Sequence, residues 1–317
     1  MADLSEEDIY KELQGRLQAL YSRPGFKVRR LRQISESIFN EACVEFSITT
    51  TQFGVLYTLS AIDDLDQITV ARLIGLDRST AGLVIELLES RGLINRGFDP
   101  ADRRRRVLAI TTQGRELIEK LQAPAQRSIE RLLDSLSRKD QKRFLSLLGK
   151  SIDDDISGEQ MLVYQAKISA LLQRPGILIR RLHQKSEALF VEECRDQQLT
   201  PTQYGLLHVV RQCGPVDQIT MARLIAVDRS TVALVVRLLV ERGLISKSVD
   251  TADKRRRTLV ITPEGRDLFQ AAASSAARVM NALLSSLPDD DRQWLMSTLD
   301  KLINRHEARF STVPQPA

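Results

Sequence analysis

The stretch Asp66–Ile94, DQITVARLIGLDRSTAGLVIELLESRGLI, decides the fold, because it returns at Asp217–Ile245 as DQITMARLIAVDRSTVALVVRLLVERGLI. The two stretches are identical at 20 of 29 positions without a gap, and they lie 151 residues apart. A period of that length corresponds to a whole domain, since solenoid repeats are only about 20–50 residues long. The sequence therefore predicts two copies of one domain, residues 1–150 and residues 151–317.

Inside the repeated stretch, apolar residues recur with helical spacing, which predicts two short helices. Thr69 is the predicted cap of the first helix, which ends at Gly75. Asp77-Arg78-Ser79-Thr80 begins the second helix, and Arg91-Gly92 marks its end. Two short helices joined by Gly-Leu-Asp have the arrangement of a helix-turn-helix.

The flanking segments complete one repeat. Leu93–Phe98 and Val107–Thr111 have strand character on either side of a charged tip, which predicts a β-hairpin, or wing. Amphipathic helices are predicted from Glu6 to about Phe46, interrupted at Arg23-Pro24-Gly25, and again from Thr112 to about Ser151. Repeat 2 has the same order, so the predicted fold is mainly α with small β-wings, as two tandem winged helix-turn-helix domains.

Composition narrows the class of protein. The 317 residues are 43% hydrophobic and 27% charged, as in an ordinary soluble protein with two cores. No apolar run reaches the roughly 18 residues of a membrane span, and the acidic N-terminus does not resemble a signal peptide, so a cytoplasmic protein is expected. Three cysteines and three histidines show no metal-ligand spacing, and no catalytic motif is present. Neither a metal, a cofactor nor enzyme activity is expected.

The distribution of charge is more informative than the net charge of +5. Arg103-Arg104-Arg105-Arg106 recurs as Lys254-Arg255-Arg256-Arg257, each time between two strand-like segments. A basic cluster at matched positions in two copies favours a nucleic-acid partner over a merely solvated hairpin tip.

These residues resemble the MarR family of bacterial winged-helix regulators. The match runs from Asp77 to Ile94, continues through Asp99-Pro100-Ala101-Asp102-Arg103-Arg104, and ends in Leu108-Ala109-Ile110-Thr111-Thr112-Gln113-Gly114. The family is normally a homodimer of single domains. The resemblance therefore implies that the second repeat takes the partner's place, so that one monomeric chain forms an intramolecular pseudo-twofold dimer on double-stranded DNA with an imperfect palindrome.

A recognition helix enters the major groove with its N-terminal residues nearest the bases. The predicted contacts of the two helices with bases and phosphates are Arg78, Ser79, Thr80, Arg229, Ser230 and Thr231. Alternatively, Ser79 and Ser230 serve only as N-caps. Gly82-Leu83 and Ala233-Leu234 depart from the family and leave fewer polar groups for reading bases.

The wings supply the second set of predicted DNA contacts. Arg104 and Arg255 are predicted to enter the minor groove, where a narrow groove attracts guanidinium groups. The predicted phosphate contacts are the neighbouring Arg103, Arg105, Lys254 and Arg256. Asp102 and Asp253 resemble the family's aspartate that orients the wing arginine.

In MarR relatives that respond to aromatic acids, arginine and histidine near the dimerising helices help to hold the ligand. The resemblance implies a small aromatic or heteroaromatic carboxylate as effector, bound by Arg29, Arg30, Arg180, Arg181 and His183. Surface salt bridges to Glu36, to Glu187 or to the wing are the alternative role for these arginines. His183 stands where repeat 1 has Arg32, so the two sites are not expected to be equivalent.

The sequence thus predicts a repressor that a small aromatic carboxylate releases from DNA. A first alternative is an oxidant-sensing repressor that uses the matched Cys43 and Cys194, although cysteine is more often simply buried. A second alternative, of another class, is an interaction module that kept the fold but does not bind DNA.

Overall fold

Two helix-turn-helix segments, each followed by a two-stranded wing, form where the repeat is strongest. The computed structural model describes residues 6–98, 104, 106–152, 159–249 and 257–310. Its helices and strands, in chain order, are α1 (Glu6–Arg16), α2 (Gln18–Tyr21), α3 (Pro24–Ala42), α4 (Thr50–Ala61), α5 (Gln67–Ile74), α6 (Arg78–Ser90), β1 (Ile94–Phe98), β2 (Arg106–Ile110), α7 (Thr112–Leu132), α8 (Arg138–Ser151), α9 (Glu159–Lys167), α10 (Ser169–Leu172), α11 (Pro175–Glu193), α12 (Pro201–Cys213), α13 (Gln218–Ile225), α14 (Arg229–Glu241), β3 (Ile245–Val249), β4 (Arg257–Ile261), α15 (Pro263–Leu283) and α16 (Asp289–Phe310). The predicted mainly helical winged-helix fold is confirmed.

Aspartates cap the two helices of each helix-turn-helix. The Asp66 carboxylate accepts a hydrogen bond from the Thr69 backbone N–H (2.8 Å), so Thr69 is the third residue of α5 and the prediction that it is the cap is wrong. Asp77 caps α6 in the same way through the Thr80 N–H (2.8 Å), which also excludes Ser79 as the N-cap. In repeat 2 the corresponding caps are Asp217 and Asp228.

The second long helix begins and ends earlier than the sequence suggests. Arg23-Pro24-Gly25 does end α2, but Pro24 is already the first residue of α3, a position that proline favours because its missing N–H would have no partner there. The helix ends at Ala42, and a single 3-10 turn, Val44–Phe46, follows it.

The winged helix of repeat 1 requires glycine at two positions. Gly75 ends α5 with a φ of 64°, in the left-handed region. Gly114, at the start of α7, lies so close to the Leu93 carbonyl that a Cβ atom would collide with it. Repeat 2 keeps the second glycine as Gly265 but has Ala226 (φ 50°) at the first position, where the side chain strains the backbone.

Each wing is an antiparallel hairpin. The register pairs Ile94 with Ile110 in the first wing and Ile245 with Ile261 in the second. A third segment joins each hairpin through a single bridge, which links Leu65 to Leu108 in repeat 1. The tips, residues 99–103 and 105 in the first wing and residues 250–256 in the second, lie outside the described residues.

The chain packs into two compact units that do not follow the boundary between the repeats. Unit 1 comprises Met1–Lys27 and Lys185–Ser285, and unit 2 comprises Val28–Gln184 and Ser286–Ala317. The predicted boundary at 150/151 separates the two sequence repeats. In the structure, the N-terminal helices of each repeat belong to the unit that holds the winged helix of the other repeat.

Apolar stripes on these N-terminal helices cause the exchange. In unit 1, Leu17 and Leu20 belong to the core of the second winged helix, and the Tyr21 hydroxyl donates to the Leu224 carbonyl (3.0 Å). In unit 2, Ile168 and Leu171 belong to the core of the first winged helix. These four apolar side chains are at most 5% exposed. The exchanged helices therefore complete the two cores by hydrophobic burial.

None of the described helices combines the length and the apolar composition that crossing a lipid bilayer requires. Within the described part of the chain, no three His, Cys, Asp or Glu side chains are grouped as a metal site would need.

Candidate nucleic-acid interface and ligand pocket

The N-terminus of α6 presents the first predicted contacts, and one carboxylate organises them. Asp77 accepts hydrogen bonds from the Ser79 hydroxyl and from the Thr80 hydroxyl (2.6 Å), as well as from the Thr80 N–H. These bonds, the one from Ser79 first, hold the pKa of Asp77 far below its ordinary value. Both hydroxyl protons are therefore engaged, so the two oxygens can only accept further hydrogen bonds, and the exposed Arg78 beside them supplies a cation.

The N-terminus of α14 repeats this arrangement in unit 1. The Asp228 carboxylate accepts from the Ser230 hydroxyl and from the Thr231 N–H (2.8 Å). The same bonds lower the pKa of Asp228 to about 2. Arg229 is exposed beside them. Each of the two helices therefore begins with the same aspartate-capped hydroxyl residues beside an exposed arginine.

The outer face of both recognition helices carries large apolar side chains that the sequence analysis did not assign to the interface. Leu83 is 69% exposed and Leu87 is 48% exposed on α6, whereas Ile85 is fully buried. The corresponding residues of α14, Leu234 and Leu238, are 48% and 38% exposed. The signal in the sequence was the departure at Gly82-Leu83 and Ala233-Leu234.

The first wing is tied to α6 and ends in exposed groups. Arg96 pairs with Glu89 (2.9 Å), which links β1 to the recognition helix. Phe98 is 61% exposed, and the Arg106 guanidinium lies 5.2 Å from its ring centre. Arg104 is exposed in the turn between the strands. The other predicted wing contacts lie outside the described residues: Asp102, Arg103, Arg105, Asp253, Lys254, Arg255 and Arg256.

Unit 2 contains a cavity where α3, α4, α7, α10 and the start of α11 meet. It encloses about 40 Å³, and its walls are mainly apolar, with Phe39 and Phe53 as the aromatic surfaces. That space has room for ordered water but not for an aromatic ring, since pockets for drug-sized ligands typically measure about 300–1,000 Å³.

One fully buried cation lines the cavity. Arg180 is 6% exposed, and its Nη2 donates to the Thr50 hydroxyl (2.6 Å). Glu36 Oε1 lies 3.8 Å from the same nitrogen, but Glu36 is held mainly by Arg32 (2.8 Å). Nη1 is buried and has no hydrogen-bond partner among the described residues. Burial lowers the pKa of Arg180, which Glu36 opposes, yet a guanidinium stays charged in a protein.

A second arginine at the cavity was missed by the sequence reasoning. Arg174 lies between α10 and α11, with its guanidinium 5.1 Å from the ring centre of Phe53 and 6.0 Å from that of Tyr57. Its Nη2 donates to Gln122 Oε1 (3.3 Å). The signal was the Arg-Pro-Gly triplet shared by both repeats, which the sequence analysis treated only as a helix break.

The other predicted ligand residues are placed elsewhere. Arg30 pairs with Glu307 (2.6 Å), the kind of salt bridge foreseen as the alternative, and Arg181 lines a separate, more open pocket of about 240 Å³. His183 is buried, and burial, with Arg32 and Arg29 adding, lowers its pKa to about 3. Of the five predicted residues, Arg180 alone is among the described residues that line the aromatic-walled cavity.

The matched cysteines lie inside the cores. Cys43 is 0% exposed, and burial raises the pKa of its thiol to about 11, which Arg127 opposes. Cys194 is 1% exposed, and burial raises its pKa as well. Neither thiol therefore carries the accessible thiolate that oxidant sensing needs.

Comparison with known proteins places this geometry in a family. The MarR family matches residues 48–105 and again residues 199–256. The HTH-type transcriptional repressor NicR of Pseudomonas putida is 30% identical over 135 residues, which are 43% of this chain and 85% of that relative. The solved structure of a probable transcriptional regulator from Pseudomonas aeruginosa is 32% identical and covers 42% of this chain and 98% of its own, with a TM-score of 0.40.

A third similar protein is BpsR of Bordetella bronchiseptica, whose DNA binding is regulated by 6-hydroxynicotinic acid. It is 28% identical and covers 41% of this chain and 94% of its own, with a TM-score of 0.40. Each of these three relatives has about the length of one repeat, so each of these matches uses less than half of this chain. The chain therefore belongs to the MarR family of transcriptional regulators, and it carries two tandem domains of that family with the DNA-binding winged-helix fold.

Proposed function

We propose that the chain is a transcriptional repressor that binds operator DNA and is released by a small aromatic or heteroaromatic carboxylate. The observation that carries the effector is the buried Arg180, which lines a cavity with aromatic walls and whose Nη1 has no hydrogen-bond partner among the described residues. A buried charge without a full set of partners is unfavourable, so an anionic group gains most by binding there. A flat apolar body with one carboxylate complements both the cation and the walls.

The DNA-binding role rests on the two recognition helices. Each presents an exposed arginine, Arg78 or Arg229, beside hydroxyl groups that a capping aspartate orients. One chain with two such helices takes the place of a homodimer, so we propose one chain per imperfect palindrome, with half-sites about one helical turn apart. The bacterial chromosome is the target, which requires a cytoplasmic protein.

Release follows from the size of the cavity. Because about 40 Å³ does not hold an aromatic ring, the effector must bind a state in which α4 and its neighbours lie farther apart. Helix α4 shares one apolar core with α6, through Leu56, Leu59 and Ile85. Movement of α4 therefore displaces the recognition helix. A coupling of about 1–3 kcal/mol, or about 5–150-fold in DNA affinity, is typical of such systems.

Different observations argue against the two alternative functions. Oxidant sensing through Cys43 or Cys194 lacks physical support, because both thiols are buried and their pKa values are raised. A fold that no longer binds DNA is hard to reconcile with matched, exposed Arg78 and Arg229 in both copies. That alternative predicts unchanged function after replacement of both arginines by alanine.

The test is fluorescence anisotropy of a labelled duplex from the region upstream of the gene, at about 150 mM salt, with and without aromatic carboxylates. The panel contains benzoate, nicotinate, 4-hydroxybenzoate and 6-hydroxynicotinate. We expect saturation at one chain per duplex and reversal by at least one compound. Arg180→Gln should lower the affinity for that compound by about tenfold or more, because a charged hydrogen bond is lost.

Arg181→Gln is the matched control, since Arg181 is the next residue on the same helix and lines a different pocket. Equal effects of the two substitutions would show that Arg180 is not the effector's anchor. A duplex that binds but is released by no carboxylate would refute the proposed effector, and the absence of specific binding would refute the repressor.

A further inference from the structure

We infer that the chain binds one effector molecule, in the unit 2 cavity, and that the repeat-related position in unit 1 is closed by the Tyr204 side chain. The inference rests on the proposed function, because it concerns where the aromatic carboxylate binds. It goes beyond that function, since a duplicated chain would otherwise be expected to hold two equivalent sites.

The two positions differ in the groups that line them. A spacing of 151 residues carries Thr50 and Ser128 of the unit 2 cavity onto Pro201 and Val279 of unit 1. Two hydroxyl groups are therefore absent from the unit 1 position. At the same spacing, Ile177 becomes the larger Phe26. The unit 1 position is thus more crowded and less able to orient a polar ligand.

The decisive difference is Phe53 in unit 2 against Tyr204 in unit 1. Arg23, the counterpart of Arg174, donates from Nη2 to the Tyr204 hydroxyl (3.1 Å) and from Nη1 to the Ala276 carbonyl (3.5 Å). Its guanidinium also lies 5.0 Å from the Tyr204 ring centre. Phe53 has no hydroxyl, so Arg174 makes no such bond; among the described residues its hydrogen bond goes to Gln122 Oε1 at 3.3 Å.

Tyr204 is held firmly in that position. It is 3% exposed, and its ring stacks on Phe269 with 4.8 Å between ring centres and 15° between planes. Both terminal nitrogens of Arg23 already donate to protein acceptors, and only its Nε has no hydrogen-bond partner at all among the described residues. A ligand at this position would first have to break the Arg23–Tyr204 contact.

His208 does not restore an anion site in unit 1. It lies next to Tyr204 and Phe269, with 6.3 Å and 5.4 Å between ring centres. Burial, with Arg23 and Arg211 adding, lowers its pKa to about 4, so the ring is neutral near pH 7. A neutral imidazole attracts a carboxylate far less than a buried guanidinium does.

Isothermal titration calorimetry of the full chain with the four carboxylates named above tests this inference. For any compound that binds, we expect one molecule per chain. Arg174→Ala should weaken binding by about tenfold or more, whereas the matched Arg23→Ala should change neither the affinity nor the number bound. Thermal unfolding of each variant identifies any that fails to fold.

Exchanging one hydroxyl between the two positions provides a conservative second test. Phe53→Tyr should give Arg174 a hydroxyl acceptor like the one that Tyr204 gives to Arg23, and it should lower the affinity for the carboxylate. Tyr204→Phe should leave the affinity of the unit 2 site unchanged. Two molecules per chain, or a loss of binding in Arg23→Ala but not in Arg174→Ala, would overturn the inference and leave the proposed effector class intact. If no carboxylate binds the unaltered chain, the proposed effector class is refuted instead, and the inference with it.

Discussion

Among the described residues, the Thr50 hydroxyl is the one neutral hydrogen-bond partner of the buried Arg180, so its removal has a calculable effect. The hydrogen bond from Arg180 Nη2 is 2.6 Å long, and Arg180 is 6% exposed. A hydrogen bond to a charged group contributes about 1.5–3 kcal/mol. Thr50→Val keeps the side-chain shape and deletes the acceptor, so we expect unit 2 to lose about 1.5–3 kcal/mol of unfolding free energy.

The expected change in melting temperature follows from the size of the unit. In a domain of roughly 150–250 residues, 1 kcal/mol shifts the midpoint by about 2–4 °C, so the unit 2 transition should fall by about 3–12 °C. Differential scanning calorimetry resolves it when the transition of unit 1 stays in place. Thr58→Val is the control, because its hydroxyl is also buried on α4 but donates to the neutral Gly54 carbonyl at 2.9 Å. Its expected cost is only about 0.5–1.5 kcal/mol.

The same variant should bind the effector more tightly. With Thr50 gone, both terminal nitrogens of Arg180 lack a neutral partner, and one carboxylate satisfies both through paired hydrogen bonds. Adding the effector should therefore recover part of the lost stability, and the affinity should rise by up to about tenfold. Equal destabilisation in Thr50→Val and Thr58→Val, or weaker effector binding in Thr50→Val, would refute the view that Arg180 is a partly satisfied charge awaiting an anion.

Three further outcomes are expected. Replacing Arg78 or Arg229 by alanine should weaken operator binding by about 1–3 kcal/mol if the arginine contacts guanine. If it contacts one phosphate instead, the slope of log affinity against log salt concentration should fall in magnitude by about 0.9. Anisotropy measured over a range of salt concentrations distinguishes the two. Leu83→Ala should abolish the affinity difference between operators with thymine and with uracil, because the exposed leucine is suited to the thymine methyl group. Burial, with nearby arginines adding, lowers the pKa of His183 to about 3 and of His208 to about 4, so the unfolded chain gains protons first as the pH falls. The contribution of these histidines to the free energy of unfolding should therefore be fully present above about pH 6.5. Below that pH it should fall by up to about 1.4 kcal/mol per pH unit for each histidine, which urea titrations at pH 7.5 and pH 5 measure.

The helix-turn-helix was predictable because its signals are local. Apolar periodicity, capping residues and Gly75 all act within one or two helical turns, and the structure confirms two short helices followed by a wing. The cap at Thr69 was wrong for a local reason as well. Two residues with capping side chains, Asp66 and Thr69, stand three positions apart, and the backbone N–H of the second is the group that the first accepts from.

The ligand pocket was only partly predictable because it is not local. Arg180 was identified as a residue, but its partner Thr50 lies 130 positions away in the other repeat, and no periodicity records that pairing. The exchange of N-terminal helices between repeats brings the Arg-Pro-Gly segment of one repeat to the winged helix of the other. For that reason Arg174 was interpreted from its neighbours in sequence, as part of a helix break, and its contact with Phe53 was not foreseen.

Fusion of two domains removes a constraint that symmetry imposes on a homodimer. In two identical subunits, a change at one pocket position alters both pockets, whereas here Phe53 and Tyr204 are separate residues that differ independently. Reading a palindrome requires both recognition helices, and both keep the arginine beside an aspartate-capped pair of hydroxyl residues. Under the proposed function, one pocket is enough for sensing, because losing the contact of one recognition helix would already weaken binding to a palindrome. Two equivalent sites permit a sigmoidal response, but one site per chain gives a Hill coefficient of about 1, so the proposed chain would respond gradually over a wide range of effector concentration.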